Sequence, residues 1–259
     1  MSFYKCIIDY DKCKGCGFCT WYIDCPGRDE CVDCQVCLLG CPNEAIIRIE
    51  DDRPRRYVKI YVNGEGYEVP ERITLKRAFQ IIGFTFSKIP SDRDIYTPCE
   101  TGGCYACAVL VDGVPRQLCT TPIRNGMKIE LNADFEPLRI VSGFTPHPVG
   151  GVGTPWYLKK RGRYIEVACF AHGCNFRCPQ CQNWTITYGN NLNPLTPKEA
   201  AEELTALRRL YGVDRMAISG GEPTLNRRWL IKFFKWLKRL NKDEKARLHL
   251  DTNTCLLYT

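Results

Sequence analysis

The sequence predicts a multidomain chain of mixed architecture, α+β in its earlier part and α/β in its last third. Three observations carry this reading. Eight of the eighteen cysteines crowd between Cys13 and Cys41 in two spaced runs. From Tyr57 the pattern changes to short alternating strands around turn dipeptides, and from Tyr164 it changes again to apolar strands separated by amphipathic helices. At 259 residues the chain has room for two or three domains of about 100 to 200 residues each.

The first cysteine run reads Cys13-x2-Cys16-x2-Cys19-x5-Cys25-Pro26 and the second Cys31-x2-Cys34-x2-Cys37-x3-Cys41-Pro42. Thiolates two residues apart wrap three corners of one iron-sulfur cube, and the cysteine before the proline lies too far along the turn to reach it. Cys13, Cys16 and Cys19 therefore pair with Cys41, and Cys31, Cys34 and Cys37 pair with Cys25. Structural zinc is the alternative, but it prefers two separated Cys-x2-Cys pairs, and a run of three leaves one sulfur over. Residues 1–52 resemble bacterial two-cluster ferredoxins, which implies a dicluster ferredoxin fold holding two 4Fe-4S clusters.

Iron-bound thiolates need a reducing, oxygen-poor compartment, so a cytoplasmic and anaerobic setting is expected. There is no apolar run of about eighteen residues, and Met1 to Cys6 lacks the charged head and apolar core of a signal peptide, so no membrane partner is expected. The formal charge of +7 shrinks once anionic clusters are bound, which leaves basicity as weak evidence for a nucleic-acid partner.

After the charged stretch Glu50–Arg56, the alternation of Tyr57–Val62, then Asn63-Gly64, then Tyr67–Val69, predicts a hairpin. Thr74 caps a helix reaching Gly83, with Leu75, Ala78, Phe79 and Ile82 on its apolar face. Cys99-x4-Cys104-x2-Cys107 follows, then a strand pair around Asp112-Gly113, then Cys119. This is plant-type 2Fe-2S spacing, with Gly102 and Gly103 letting the backbone fold over the sulfurs. A zinc loop is again the alternative. Residues 57–132 resemble the beta-grasp 2Fe-2S domains of complex I, iron hydrogenases and xanthine-oxidase-like enzymes. Residues 133–163, rich in glycine and proline from Gly143 to Gly153, read as a linker and lid.

From 164 to 259 the strand-like run Tyr164–Cys169 leads into Cys174-x3-Cys178-x2-Cys181. Thr196-Pro197-Lys198-Glu199 is a capping-box start, and Ala200, Leu204, Leu207 and Tyr211 continue an apolar face. Met216–Ser219 makes a short strand ending in Gly220-Gly221-Glu222-Pro223. A second helix presents Trp229, Phe233, Trp236, Leu237 and Leu240 to the core and leaves Lys232, Lys235 and Arg239 solvated. A third strand runs from Arg247 to Asn253.

The Cys-x3-Cys-x2-Cys loop and Gly220–Pro223 resemble the motifs of radical SAM enzymes. His172–Cys178 and Gln182–Trp184 resemble the pyruvate formate-lyase activating enzymes and the AmmeMemoRadiSam branch. The resemblance implies a partial (β/α)6 radical SAM barrel in which Cys174, Cys178 and Cys181 hold a third 4Fe-4S cluster with one iron open to S-adenosylmethionine. A reduced cluster then cleaves SAM to methionine and a 5′-deoxyadenosyl radical. Gly220 and Gly221 admit the methionine end of SAM, Glu222 meets its ammonium either directly or through the strand edge, and Asp251, Thr252 and Asn253 reach its ribose or methionine polar groups. Two positions depart from the pattern: Gln180 replaces an aromatic before the last cysteine, and the extra clusters precede the motif instead of following it.

The complete set of expected cofactors is three 4Fe-4S clusters, one 2Fe-2S cluster and SAM. Expected partners are an external electron donor and a protein substrate such as a glycyl-radical enzyme. An electron-transfer subunit of a hydrogenase- or complex-I-like assembly is the alternative, and a nucleic-acid-modifying enzyme is a third, without an RNA-binding module to support it. Cys6, Cys169 and Cys255 have no partner spacing and read as small buried hydrophobes. A full eight-unit barrel needs about 250 residues, so the barrel segment is expected to be incomplete.

Overall fold

A computed structural model describes residues 2–27, 29–148 and 164–256, in four sheets. The cysteine-dense segment is framed by an antiparallel ribbon of β1 (Tyr4–Ile8) and β2 (Ile46–Glu50), with the single-turn helices α1 (Phe18–Trp21) and α2 (Val36–Gly40) between them. Helices this short have no stability of their own. They are held by a small core in which Phe18, Ile23, Val36 and Ile46 pack against Cys6, Cys31 and Cys37.

β3 (Tyr57–Val62) and β4 (Glu65–Pro70) form the expected hairpin. Asn63 and Gly64 at its tip both take positive φ, 49° and 88°, which the tight two-residue turn requires. The Thr74 hydroxyl accepts from the Arg77 amide at 3.2 Å and starts α3 (Leu75–Ile81). The two-residue strands β5 (Phe86–Ser87) and β6 (Ile95–Tyr96) run parallel and lead into the Cys99 loop. β7 (Ala108–Val111), β8 (Val114–Gln117) and β9 (Lys128–Glu130) complete a five-stranded sheet in the order β4-β3-β9-β7-β8. Leu75, Ala78 and Phe79 of α3 bury their apolar face in its core, with Ile60, Val69 and Leu118.

The linker reading of 133–163 needs correction. Val141–Pro148 form β10, antiparallel to β11 (Tyr164–Ala171), with register shifts between Ser142 and Thr145 and between His147 and Pro148. Glycine, proline and bulges break the alternation by which a strand is read from sequence. The rest of that stretch, including 149–153 of the expected lid, lies outside the described residues.

Next come α4 (Trp184–Tyr188), α5 (Pro197–Tyr211), β12 (Arg215–Gly220), a 3-10 turn (Pro223–Leu225), α6 (Arg227–Leu240) and β13 (Arg247–Leu250). The sheet order is β10-β11-β12-β13, with the last three strands parallel. The capping box of α5 is complete: Thr196 Oγ1 accepts from the Glu199 amide at 3.3 Å, and the Glu199 carboxylate accepts from the Thr196 amide at 2.8 Å. Trp229, Phe233 and Leu237 of α6 are buried in one core with Val167, Cys169, Met216 and Ile218 of the sheet, and Trp236 and Leu240 pack partly buried against it. Lys232, read as solvated, pairs with Glu136 at 2.5 Å.

β13 stops at Leu250 and not at Asn253. Asp251–Asn253 leave the strand path, and Thr252 and Asn253 turn to bond the Glu222 carboxylate. Among the described residues no helix is long and apolar enough to cross a membrane.

Candidate active site

The carboxyl ends of β11, β12 and β13 meet at one edge of the parallel sheet, which is where open α/β sheets bind their ligands. The Cys174–Cys181 loop leaves β11 there. Cys174 Sγ accepts from the Phe176 amide at 3.4 Å and lies 3.8 Å from Asn253 Nδ2. Cys181 Sγ is 3.6 Å from Thr187 Oγ1, and Cys178 is exposed. Burial raises the Cys174 thiol above its ordinary range. Three sulfurs grouped on an accessible loop suit a cluster that keeps one iron open to a ligand.

Gly220 and Gly221 serve a seam between backbones. Gly220 has φ +110°, and a Cβ there would lie 2.6 Å from the amide nitrogen and carbonyl oxygen of Ala171. A Cβ on Gly221 would overlap the Gly173 carbonyl. The Gly221 amide donates to Ala171 O and the Glu222 amide to Gly173 O, each at 2.8 Å. The space expected for the methionine end of SAM is thus filled on this side by residues 171–173.

The expectation for Glu222 also changes. Its side chain is fully buried. Oε1 accepts from the Thr224 amide at 2.9 Å, Thr224 Oγ1 at 2.6 Å and Thr252 Oγ1 at 2.8 Å, while Oε2 accepts from the Asn253 amide at 2.6 Å. The carboxylate therefore braces the loops after β12 and β13, so a direct contact with the ammonium would compete with four intraprotein hydrogen bonds. Thr252 is occupied by that brace, Asn253 Nδ2 donates to Asn175 Oδ1 of the cysteine loop at 2.9 Å, and Asp251 accepts from His249 Nε2 at 3.0 Å while its carboxylate stays 43% exposed. Asp251 thus keeps an accessible side chain. Pro223 O accepts from Arg139 Nη1 at 2.5 Å.

Cys99, Cys104, Cys107 and Cys119 are all buried. Their sulfurs converge: the Cys104 and Cys119 thiols hold Cys99 well below its ordinary range, and burial pushes Cys104 well above it. The Thr101 and Ala106 amides point at Cys99 Sγ and Cys104 Sγ across 3.4 and 3.5 Å. Four buried soft donors with amides aimed at sulfur match a 2Fe-2S centre. In the first segment, Cys13, Cys16, Cys19 and Cys41 line one cavity of about 230 Å³. Cys25, Cys31 and Cys37 lie close enough to Cys34 for their charges to act on it, and burial pushes Cys34 up to about 12. Both groupings follow the spacing-based pairing. Among the described residues no three His, Cys, Asp or Glu side chains converge on a single-ion site.

Cys6 is buried in the small core of the first segment, as expected, and its amide also lies 3.4 Å from Cys31 Sγ. Cys169 is buried in the core, whereas Cys255 is exposed. Several residues escape the sequence reading. Arg139 is completely buried, and its Nη2 donates to His172 O at 3.0 Å and to Glu222 O at 2.7 Å. Glu166 joins His147 at 3.1 Å, Arg215 at 3.0 Å and His249 at 3.4 Å on the sheet face opposite the helices. The available signal was period-two alternation, in which Arg215 and His249 interleave with buried Met216 and half-buried Leu248.

The 2Fe-2S loop rests directly on the Cys174 loop. A Cβ on Gly173 would lie 3.0 Å from the Cβ of Cys104 and 3.1 Å from that of Cys99, and one on Gly103 would lie 2.6 Å from the His172 Cβ. Asn226 Nδ2 donates to Cys104 O at 3.0 Å, and Arg177 Nη2 donates to Cys99 O at 2.6 Å. Buried His172 binds Gly189 O through Nδ1 at 2.8 Å and Ser142 Oγ through Nε2 at 2.7 Å, and burial lowers it to about 4, so it is neutral. The first cysteine-rich segment touches the same region through α4. Phe18 and Trp184 rings meet at 4.8 Å, and the Asn190 amide donates to Tyr22 O at 2.8 Å.

Comparison with known proteins agrees with this geometry. The model of the radical SAM superfamily matches residues 169–258, and that of a 2Fe-2S iron-sulfur cluster binding domain matches residues 55–134. An uncharacterized iron-sulfur protein of Methanocaldococcus jannaschii is 36% identical over 128 residues, covering 45% of this chain and 25% of that protein. An anaerobic magnesium-protoporphyrin IX monomethyl ester cyclase of Cereibacter sphaeroides is 25% identical over 91 residues, covering 35% of this chain and 14% of that protein. The matches therefore span a quarter or less of these curated relatives. Residues 169–258 thus match a radical SAM domain and residues 55–134 a 2Fe-2S binding domain, which supports an iron-sulfur enzyme with a 4Fe-4S cluster and SAM among its cofactors.

Proposed function

We propose that this enzyme cleaves SAM reductively at Cys174, Cys178 and Cys181, with electrons relayed through its own ferredoxin-like segments. The observation that carries the reading is the convergence of the cysteine loop with the loops after β12 and β13, joined by Asn253 to both Cys174 and Glu222. When bound, the cluster and SAM supply a 5′-deoxyadenosyl radical and methionine. The chain's own residues hold that site. Glu222 fixes the Thr252–Asn253 turn, Arg139 fixes the carbonyls of residues 172, 222 and 223, and Asp251 offers a carboxylate at its rim.

Cys13, Cys16, Cys19 and Cys41 hold one further 4Fe-4S cluster in this reading, Cys25, Cys31, Cys34 and Cys37 hold another, and Cys99, Cys104, Cys107 and Cys119 hold the 2Fe-2S cluster. An external low-potential donor fills them. The resemblance of residues 172–184 to activating enzymes makes a glycyl-radical protein the proposed substrate. The cyclase match, at 14% of that protein's length, supports the SAM chemistry and not a porphyrin substrate.

Anaerobically reconstituted protein given dithionite and SAM should release 5′-deoxyadenosine and methionine, and Cys178→Ala should abolish release while the other clusters remain. SAM bound but never cleaved by the wild type under strong reduction would favour the electron-transfer subunit instead.

A further inference from the structure

We infer that the 2Fe-2S centre is the immediate electron donor to the cluster at Cys174, Cys178 and Cys181, and that Arg177 is the positioning residue that joins the two centres. The inference rests on the SAM-cleavage reading and specifies its internal wiring. Arg177 lies inside the cysteine motif, yet its guanidinium reaches outside it. Nη2 donates to Cys99 O at 2.6 Å while Nη1 donates to Cys174 O at 2.7 Å and Phe176 O at 3.1 Å. One planar cation thus ties the backbone of a 2Fe-2S ligand to the backbone of a SAM-cluster ligand. Arginine suits this role because its donors are fixed in a fork and its charge is permanent.

The packing beneath the bridge points the same way. Gly173 precedes Cys174, and a methyl group there would touch both Cys99 and Cys104. The two ligand loops are therefore separated by little more than a glycine backbone. The dicluster segment meets a different part of the site, residues 184–190. It reaches this region through Gly40, where a Cβ would lie 2.8 Å from that of Tyr188, and through Phe18 on Trp184. Both contacts fall on α4, beyond Cys181 in the chain, and Arg177 also lies over the Tyr188 ring at 5.4 Å. The dicluster centres are accordingly placed upstream and the 2Fe-2S centre last.

The transfer step moves one electron. The 2Fe-2S centre is oxidised by one electron and the 4Fe-4S centre at the three-cysteine loop is reduced by one, with no bond or proton moved. The 2Fe-2S centre is refilled from the dicluster segment, which an external one-electron donor of low potential recharges. Between two anionic centres, the Arg177 charge favours the reduced form of each.

The decisive measurement needs no SAM. In fully reduced, anaerobically reconstituted protein, the paramagnetic resonance signal of the 2Fe-2S centre should be split or broadened by its neighbour. Cys178→Ala should remove the splitting and Cys16→Ala should leave it. Splitting that disappears with Cys16→Ala and survives Cys178→Ala would overturn the assignment. With SAM added to reduced protein, the 2Fe-2S signal should decay as 5′-deoxyadenosine appears, about tenfold more slowly in Arg177→Met, with part of the rate restored by Arg177→Lys. Equal decay in wild type and Arg177→Met would overturn the role of Arg177. Failure of the wild type to cleave SAM under excess dithionite would count against SAM cleavage alone, because the splitting test still decides the adjacency.

Discussion

The backbone amide of Asn253 donates to the Glu222 carboxylate across 2.6 Å, tying the end of β13 to the loop after β12. A glutamine at position 222 would present an amide nitrogen to donors on at least one side. Glu222→Gln should lower the unfolding free energy by about 1 to 3 kcal/mol, the cost of leaving buried polar groups unpaired, and should loosen iron retention at Cys174. Chemical denaturation and iron content after gel filtration check this. Unchanged values for both would remove Glu222 from its bracing role.

Gly221→Ala should cost about 1 to 3 kcal/mol, because the added methyl overlaps a backbone carbonyl that cannot rotate away. The same change at Gly64, where φ is +88° and a Cβ meets nothing within 4 Å, measures left-handed strain without a clash, whereas Gly221 carries the clash without a positive φ. Thermal melts of the two variants should differ, with Gly221→Ala the less stable.

Glu166 gives the pH prediction. Burial opposes its ionisation, but the hydrogen bond from His147 and the charge of Arg215 outweigh it and hold the carboxyl below its ordinary range. The native state then binds fewer protons at this site than the unfolded chain. The stabilisation is present above the ordinary pKa of 4.5 and is lost as pH falls through the lowered value. Glu166→Gln should cost on the order of 3 kcal/mol at neutral pH, since Arg215 loses its carboxylate and keeps only the His249 ring as partner, and should flatten the acid limb of the stability profile. Denaturant titrations across that range provide the comparison.

Cluster type can be sorted by ligand set. Cys104→Ala should remove a 2Fe-2S resonance signal, and Cys16→Ala should remove or convert one 4Fe-4S signal, each sparing the other segment. Stoichiometric zinc with little iron in anaerobically purified protein would refute both assignments.

Much of the site was legible because its signals are local. Cysteine spacing grouped the sulfurs, Asn63-Gly64 marked a hairpin, and Thr196 with Glu199 marked a helix start. What stayed hidden depends on contacts distant in sequence. Nothing near Arg139 announces that it will be buried against carbonyls 33 to 84 residues away. Glu222 reads as a ligand contact until Thr252 and Asn253 are seen to occupy it. β10 was lost because Gly143 and Pro146 erase the alternation that names a strand.

Those same irregularities give the four-stranded sheet a direction. Pro146 carries no amide hydrogen, and two register shifts bend β10 away from a straight edge, so its outer side is a poor template for another strand. β13 at the opposite side is short and regular. Any strand that extends this sheet, whether supplied by more of the same polypeptide or by another, joins beside β13, and self-association through the β10 side is suppressed by the residues that disguised it as a linker.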